Sequence, residues 1–154
     1  MAPLVVLTVL FLVFTLLGRL SIPSPFGWYT SLRLALGWMF LFTASAHWGK
    51  RRADLIRMVP PALPRPDILV TVSGILELLG GIGLMIPSVA PYSALGLSLM
   101  LLAMFPANVH AARERLTIGG RPVTAVGPRT AIQVVFVAAT LTVFVHGLRV
   151  LGRA

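Results

Sequence analysis

The sequence predicts an all-α integral membrane protein, a bundle of about five transmembrane helices, and three observations predict it. First, 154 residues with 57% apolar content, 11% charged residues and a mean hydropathy of +0.92 leave too little polar surface to coat a water-soluble globule. Second, the apolar residues gather in five runs, each near the ~20 residues that cross a hydrocarbon core. Third, proline, glycine and arginine collect between the runs, so the backbone hydrogen bonds break outside the lipid.

The runs cover residues 4–20, 31–48, 68–86, 91–112 and 130–151, and they form a single membrane domain with no room for a separate catalytic one. The first has no basic residue ahead of its apolar core and no small-x-small cleavage pattern after it, so it reads as a retained span rather than a removable signal. It ends at Ile22-Pro-Ser-Pro-Phe-Gly27. The second is flanked by Trp28, Tyr29 and Trp48, aromatic side chains suited to the membrane–water boundary. Val59-Pro-Pro-Ala-Leu-Pro-Arg-Pro-Asp67 precedes the third run, and the residues from Pro87 to Pro91, followed by Tyr92, precede the fourth. Within the fourth, Pro106 should kink the helix by removing the amide bond to the Leu102 carbonyl. Gly119-Gly-Arg-Pro122 precedes the fifth. In the linker 49–67, Ala53-Asp-Leu-Ile-Arg-Met-Val59 fits a turn or two of amphipathic helix on the membrane surface. The sequence shows no internal repeat and no low-complexity tract.

A net charge of +9 and a pI near 11.9 would suit nucleic acid, but the basic residues sit at the edges of the apolar runs, where lipid phosphates lie. With neither a soluble recognition element nor a continuous basic face, the expected partner is the bilayer and not a nucleic acid. The absence of cysteine excludes disulfides, thiolate metal sites and thiol redox chemistry carried by the chain itself. Five spans place Lys50, Arg51, Arg52, Arg57, Arg65, Arg113, Arg115, Arg121 and Arg129 on one side, against Arg19, Arg33, Arg149 and Arg153 on the other. Positive-inside bias then makes loops 49–67 and 113–129 cytoplasmic.

Glu77 is the one acidic residue deep in an apolar run, and a carboxylate there must be paired, hydrogen-bonded or protonated. Its helical neighbours at three and four residues are Ser73, Gly74, Gly80 and Gly81, so it is expected on the face where another helix approaches closely, with Gly74, Gly80 and Gly81 as packing positions. Counting ~1.5 Å per residue puts Glu77 near mid-membrane and His47 near the cytoplasmic edge. Arg33, entering from the opposite edge, is the favoured partner of Glu77, ahead of His47. The other polar groups, Ser73, His47, Asn108, His110 and Gln133, gather toward the cytoplasmic side and would line a polar pocket with Glu77 at its floor. His146 belongs near the other surface. A structural ion pair that fixes helix register and a proton or ligand site are the two readings of Glu77 and Arg33. Asn108 has a second reading, as the donor to the carbonyl freed by Pro106. His47, Glu77 and His110 lack metal-ligand spacing, so no metal is expected, and no catalytic residue stands out.

Arg33-Leu-Ala-Leu-Gly37 with His47, Val59-Pro-Pro-Ala-Leu-Pro64, Ser73-Gly-Ile-Leu-Glu77 with its following glycines, and Phe105-Pro-Ala-Asn108 together resemble the DoxX family of small polytopic membrane proteins. The resemblance runs from about Ser31 to His146. It implies a four-helix core with the first helix as an addition. It also implies one of several roles: a small membrane subunit of a quinone-linked redox enzyme, a membrane partner of redox-defence enzymes or, in more distant proteins, a chaperone for receptor assembly. The expectation is a non-catalytic accessory subunit of a redox system whose pocket takes a quinone-like or other lipophilic ligand. The alternative is a scaffold or assembly chaperone for partner membrane proteins, with a second copy of the chain among the candidate partners. A small transporter fits less well, because there is only one deep acid and no inverted repeat.

Overall fold

A computed structural model describes residues 2–20 and 27–152 of the chain. Helix α1 spans Ala2–Leu20, α2 Trp28–Ala44, and a single 3₁₀ turn, Ser45–His47, continues α2. The short α3, Arg52–Met58, occupies the linker where an amphipathic segment was expected. Then follow α4, Pro66–Met85; α5, Ala90–Ala103; α6, Phe105–Arg113; and α7, Val126–Leu151. A two-stranded hairpin, β1 Thr117–Ile118 and β2 Arg121–Pro122, lies between α6 and α7. The Ile22–Phe26 part of the proline-rich segment after α1, and Arg153, lie outside the described residues.

Among the described residues, four segments are long and apolar enough to cross a bilayer: α1, α4, α5 with α6, and α7. The chain is therefore a multi-pass membrane protein whose exposed surface is largely aliphatic, as lipid requires. The long helices lie within a few residues of the predicted apolar runs, with α7 beginning four residues earlier than its run. Helix α2 is 17 residues before the 3₁₀ turn, shorter than the run 31–48 suggested at its far end.

Polar and small residues set the helix registers. Arg33 meets the Leu84 carbonyl, a β-carbon on Gly37 would lie 2.9 Å from the Gly81 carbonyl oxygen, and one on Gly74 would lie 2.6 Å from His47 Cβ. These pairs run in opposite directions along the two chains, so α2 and α4 are antiparallel and nearly touch backbone to backbone. Helices α5 and α7 are likewise antiparallel, with Pro91 beside Gly147 and Leu101 beside Gln133, and are stapled by the buried hydroxyls of Ser98 and Thr140 at 2.7 Å. Ser98 also bonds the Ala94 carbonyl at 2.8 Å, and Thr140 the Phe136 carbonyl at 2.9 Å, so neither hydroxyl is stranded. Leu36, Met39, Phe40, Leu84, Leu97 and Val143 fill the space between these pairs. Helix α1 leans on α2 and buries only Leu7 and Gly18 of its own residues.

The Pro106 break is real, and it takes the form of two helices: α5 stops at Ala103 and α6 starts at Phe105, with Pro106 in the first turn, where a missing amide costs nothing. Gly119 and Gly120, with φ of 57° and 75°, make the tight primed turn of the hairpin. The Gly119 amide donates to Asp54 Oδ2 at 2.8 Å and Arg57 donates to Asp54 Oδ1, so one carboxylate ties the hairpin to α3. The Gly119 amide and then Arg57 hold the Asp54 carboxyl below its ordinary 3.8. A depressed folded value means that the tie is fully present above pH 3.8 and is lost as pH falls below it. In Asp54→Asn the Gly119 amide should exchange with solvent several-fold faster at neutral pH. That difference from the parent should close on acidification, which amide hydrogen exchange in mild detergent would read.

Candidate functional site

A buried polar cluster joins α2 to α4. Glu77, about 16 Å along α4 from Pro66 by helical rise, is 7% exposed, and His47 is 4% exposed. His47 Nε2 lies 3.1 Å from Glu77 Oε2, Thr43 Oγ1 contacts Glu77 Oε1, and His47 Nδ1 lies 2.7 Å from the Val70 carbonyl oxygen. A carbonyl oxygen only accepts, so Nδ1 carries a hydrogen and donates it to Val70, which fixes that side of the ring. Facing Nε2 and Oε2 then share one proton: either an imidazolium donates to the carboxylate, or a carboxyl donates to a neutral imidazole. The pair has no net charge in either form, the condition for tolerating it at this depth. Thr43 holds the second carboxylate oxygen, although its hydroxyl also lies near the Met39 and Phe40 carbonyls of its own helix.

This arrangement corrects the expected Arg33–Glu77 pair. Arg33 donates from Nη1 to the Leu84 carbonyl at 2.8 Å, in the last turn of α4, where orphan carbonyls and the negative end of the helix dipole accept a cation. Glu77 and Leu84 are seven residues apart, about 10 Å along the axis. Helical side chains also lean toward the amino terminus, which carries the Glu77 carboxylate away from Arg33 and toward His47. Gly74 lets the His47 side chain come close against α4 and reach both partners. The glycines do not form one face. Gly74 and Gly81 meet α2, whereas Gly80 packs on Leu97 of α5.

The remaining predicted pocket residues do not converge on Glu77. Ser73 turns back to the Val70 carbonyl at 3.1 Å, on its own helix. Asn108 and Gln133 form a second cluster between α6 and α7 whose donors all run one way. Arg129 donates through Nε and Nη2 to Asn108 Oδ1 at 3.1 and 2.8 Å, Asn108 Nδ2 donates to Gln133 Oε1 at 2.7 Å, and Gln133 Nε2 donates to the Leu101 carbonyl. Gln133, rather than Asn108, thus caps a carbonyl in the last turn of α5, close to the helix break. The His110 side chain, on α6, makes no hydrogen bond among the described residues and joins neither cluster. No group of three or more His, Asp or Glu side chains able to hold a metal ion occurs among the described residues.

Three participants escaped the sequence reading. Thr43 lies one turn before His47 and Arg129 one turn before Gln133, so each shares a helix face with a residue that was picked out. Arg52 donates to the His47 carbonyl at 2.9 Å and to Thr71 Oγ1 at 2.9 Å, tying the turn after α2 to α4. At the opposite end of the bundle, His146 packs edge-on against Trp28 with ring centres 4.7 Å apart, and against Tyr29 at 4.6 Å. Two shallow clefts border the helices. One, of about 490 Å³, is lined by Trp28 and α7 residues including His146 and Arg149; the other, of about 330 Å³, lies between α4 and α5 around Gly80 and Tyr92. Neither is lined by His47 or Glu77.

No curated protein and no solved structure matches the chain. A family model does match, over residues 36–144, a stretch that holds both polar clusters and leaves out α1, Arg33 and His146. The chain belongs to the family described as a domain of unknown function, DUF8561.

Proposed function

We propose that this protein is a non-catalytic membrane subunit that organises partner proteins, with Thr43, His47 and Glu77 acting as an internal lock on helix register. The observation that carries this reading is that every polar atom of the Glu77 carboxylate already has a partner within the chain. A carboxylate committed in this way holds α2 against α4, and has no lone oxygen aimed at a ligand. We read α2 with its 3₁₀ turn as a fifth span, because together they extend about 31 Å and run alongside α4. Nine of the 13 basic residues then fall on the side of α3 and the hairpin, the cytoplasmic side by the positive-inside rule. Those loops, tied together through Asp54, are the surface offered to partners, and the DoxX-like motifs favour partners from a redox assembly.

A second reading is favoured by one specific feature, the exchangeable proton between His47 Nε2 and Glu77 Oε2. A proton donor at this depth suits a quinone-like ligand that takes up protons when reduced, and here the protein would hold that ligand for a redox partner. Native mass spectrometry from mild detergent separates the two. For an organising subunit, the parent and the Glu77→Gln variant both retain the same polypeptide partner in fixed stoichiometry and no small lipophile. If the parent instead carries a small lipophile that Glu77→Gln loses while the bundle stays folded, the register-lock reading is wrong and the ligand reading replaces it.

A further inference from the structure

The cleft at the carboxyl-terminal end of α7 combines features that the two polar clusters lack. Its floor is one stripe of α7, with Leu141, Val145 and Arg149 four residues apart, and its wall is Trp28 at the start of α2. Leu141 and Val145 are 39% and 45% exposed, and Trp28 is 50% exposed, so the lower part of the cleft is an open apolar surface at membrane depth. Arg149 lies in the last turn of α7 and has no carboxylate partner among the described residues. All four acidic residues of the sequence lie elsewhere: Glu77 in mid-bundle, and Asp54, Asp67 and Glu114 toward the opposite end. His146 adds ring nitrogens with no hydrogen-bond partner among the described residues, held between Trp28 and Tyr29.

We propose that this cleft binds an anionic phospholipid. Its phosphate would sit on Arg149 with His146 as a second donor, its glycerol region beside Trp28, and one acyl chain along Val145 and Leu141. Charge selects the occupant: a cation and a hydrogen-bonding ring at the interface, with no acidic side chain nearby, favour a headgroup of net negative charge over a zwitterionic one, whose ammonium Arg149 would repel. The apolar stripe below selects a lipid over a soluble anion. A tryptophan at the mouth matches the level at which such rings settle.

Trp28 reports on the cleft directly. In a Trp38→Phe, Trp48→Phe background it is the only tryptophan left, and both replaced residues are about half exposed, which makes the changes tolerable. The protein is reconstituted in vesicles containing chain-brominated phosphatidylglycerol or chain-brominated phosphatidylcholine, and Trp28 fluorescence is followed against the mole fraction of brominated lipid. Brominated phosphatidylglycerol should half-quench Trp28 at a mole fraction about fivefold lower than brominated phosphatidylcholine, the scale of one arginine acting at a lipid surface. Arg149→Gln should bring the two curves together, and Lys50→Gln, at the opposite end, should leave them apart. Coincident curves in the parent, or a preference that survives Arg149→Gln, would overturn the assignment.

Discussion

His47→Leu is expected to destabilise the bundle by about 2 kcal/mol, at the top of what an interhelical hydrogen bond in a membrane contributes (~1–2) and less than stranding a buried charge costs (~3–5). The intermediate value follows from the chemistry left behind. Without the imidazole, Glu77 keeps Thr43 on one oxygen and escapes the full cost by binding a proton, so what is lost is the ring's two cross-helix bonds, to Glu77 and to the Val70 carbonyl, and its packing on Gly74. Glu77→Leu should cost less, about 1 kcal/mol, because a neutral His47 still donates to the Val70 carbonyl and strands only Nε2. The double replacement should be less harmful than the sum of the two, with a coupling of about 1–2 kcal/mol. Thermal unfolding of the three variants in mild detergent provides the cycle. Strict additivity would mean that the two side chains act independently, and a pair with Arg33 in place of His47 would show the coupling in the Arg33→Leu, Glu77→Leu cycle instead.

Gly74→Ala should be at least as damaging, although it adds a single methyl. The new carbon would lie 2.6 Å from His47 Cβ and 2.7 Å from its Cγ, atoms near the root of the side chain that cannot swing clear without moving α2. Overpacking of this kind costs roughly 1–3 kcal/mol. Here the loss of His47–Glu77 register adds to it, so a total of about 3 kcal/mol is expected. Gly96→Ala supplies the contrast. Nothing lies within 4 Å of its added carbon, in the interior of α5, and alanine favours helix over glycine, so this variant should be neutral or slightly stabilising. Equal effects at the two positions, read by the same unfolding experiment, would argue that helix propensity rather than the α2–α4 contact decides the outcome.

Much of this architecture is legible in the residues. Five apolar runs with proline and glycine between them lead to five long helical stretches, and Glu77 among small neighbours is placed in the interior because no other position would tolerate it. Its partner is harder to read. That choice depends on the register of α2 against α4, which is set by the 3₁₀ turn at 45–47 and by contacts at Gly74 and Gly37, neither of which shows in hydrophobic periodicity. Depth counting along straight helices treats side chains as pointing outward. The lean of Glu77 toward the start of α4 shifts its carboxylate by about a turn and reverses the choice between Arg33 and His47. The hairpin was within reach, since Gly119-Gly120 between short flanks is a turn signal, but so few residues pair around it that composition alone reads as loop. Asn108 and Gln133 were visible as polar residues in apolar surroundings. Their grouping with Arg129 required the break at Met104 to bring α6 against the start of α7.

The contact between His47 and Glu77 underlies the register lock, the stability cycle and the cost at Gly74 alike. Solid-state NMR in lipid bilayers, recoupling ¹⁵N in the His47 ring to the ¹³C-labelled Glu77 carboxyl, measures it directly. A nitrogen 3.1 Å from a carboxylate oxygen should give strong dephasing. Dephasing of the Glu77 carboxyl by labelled arginine nitrogens, with none from His47, would contradict the account.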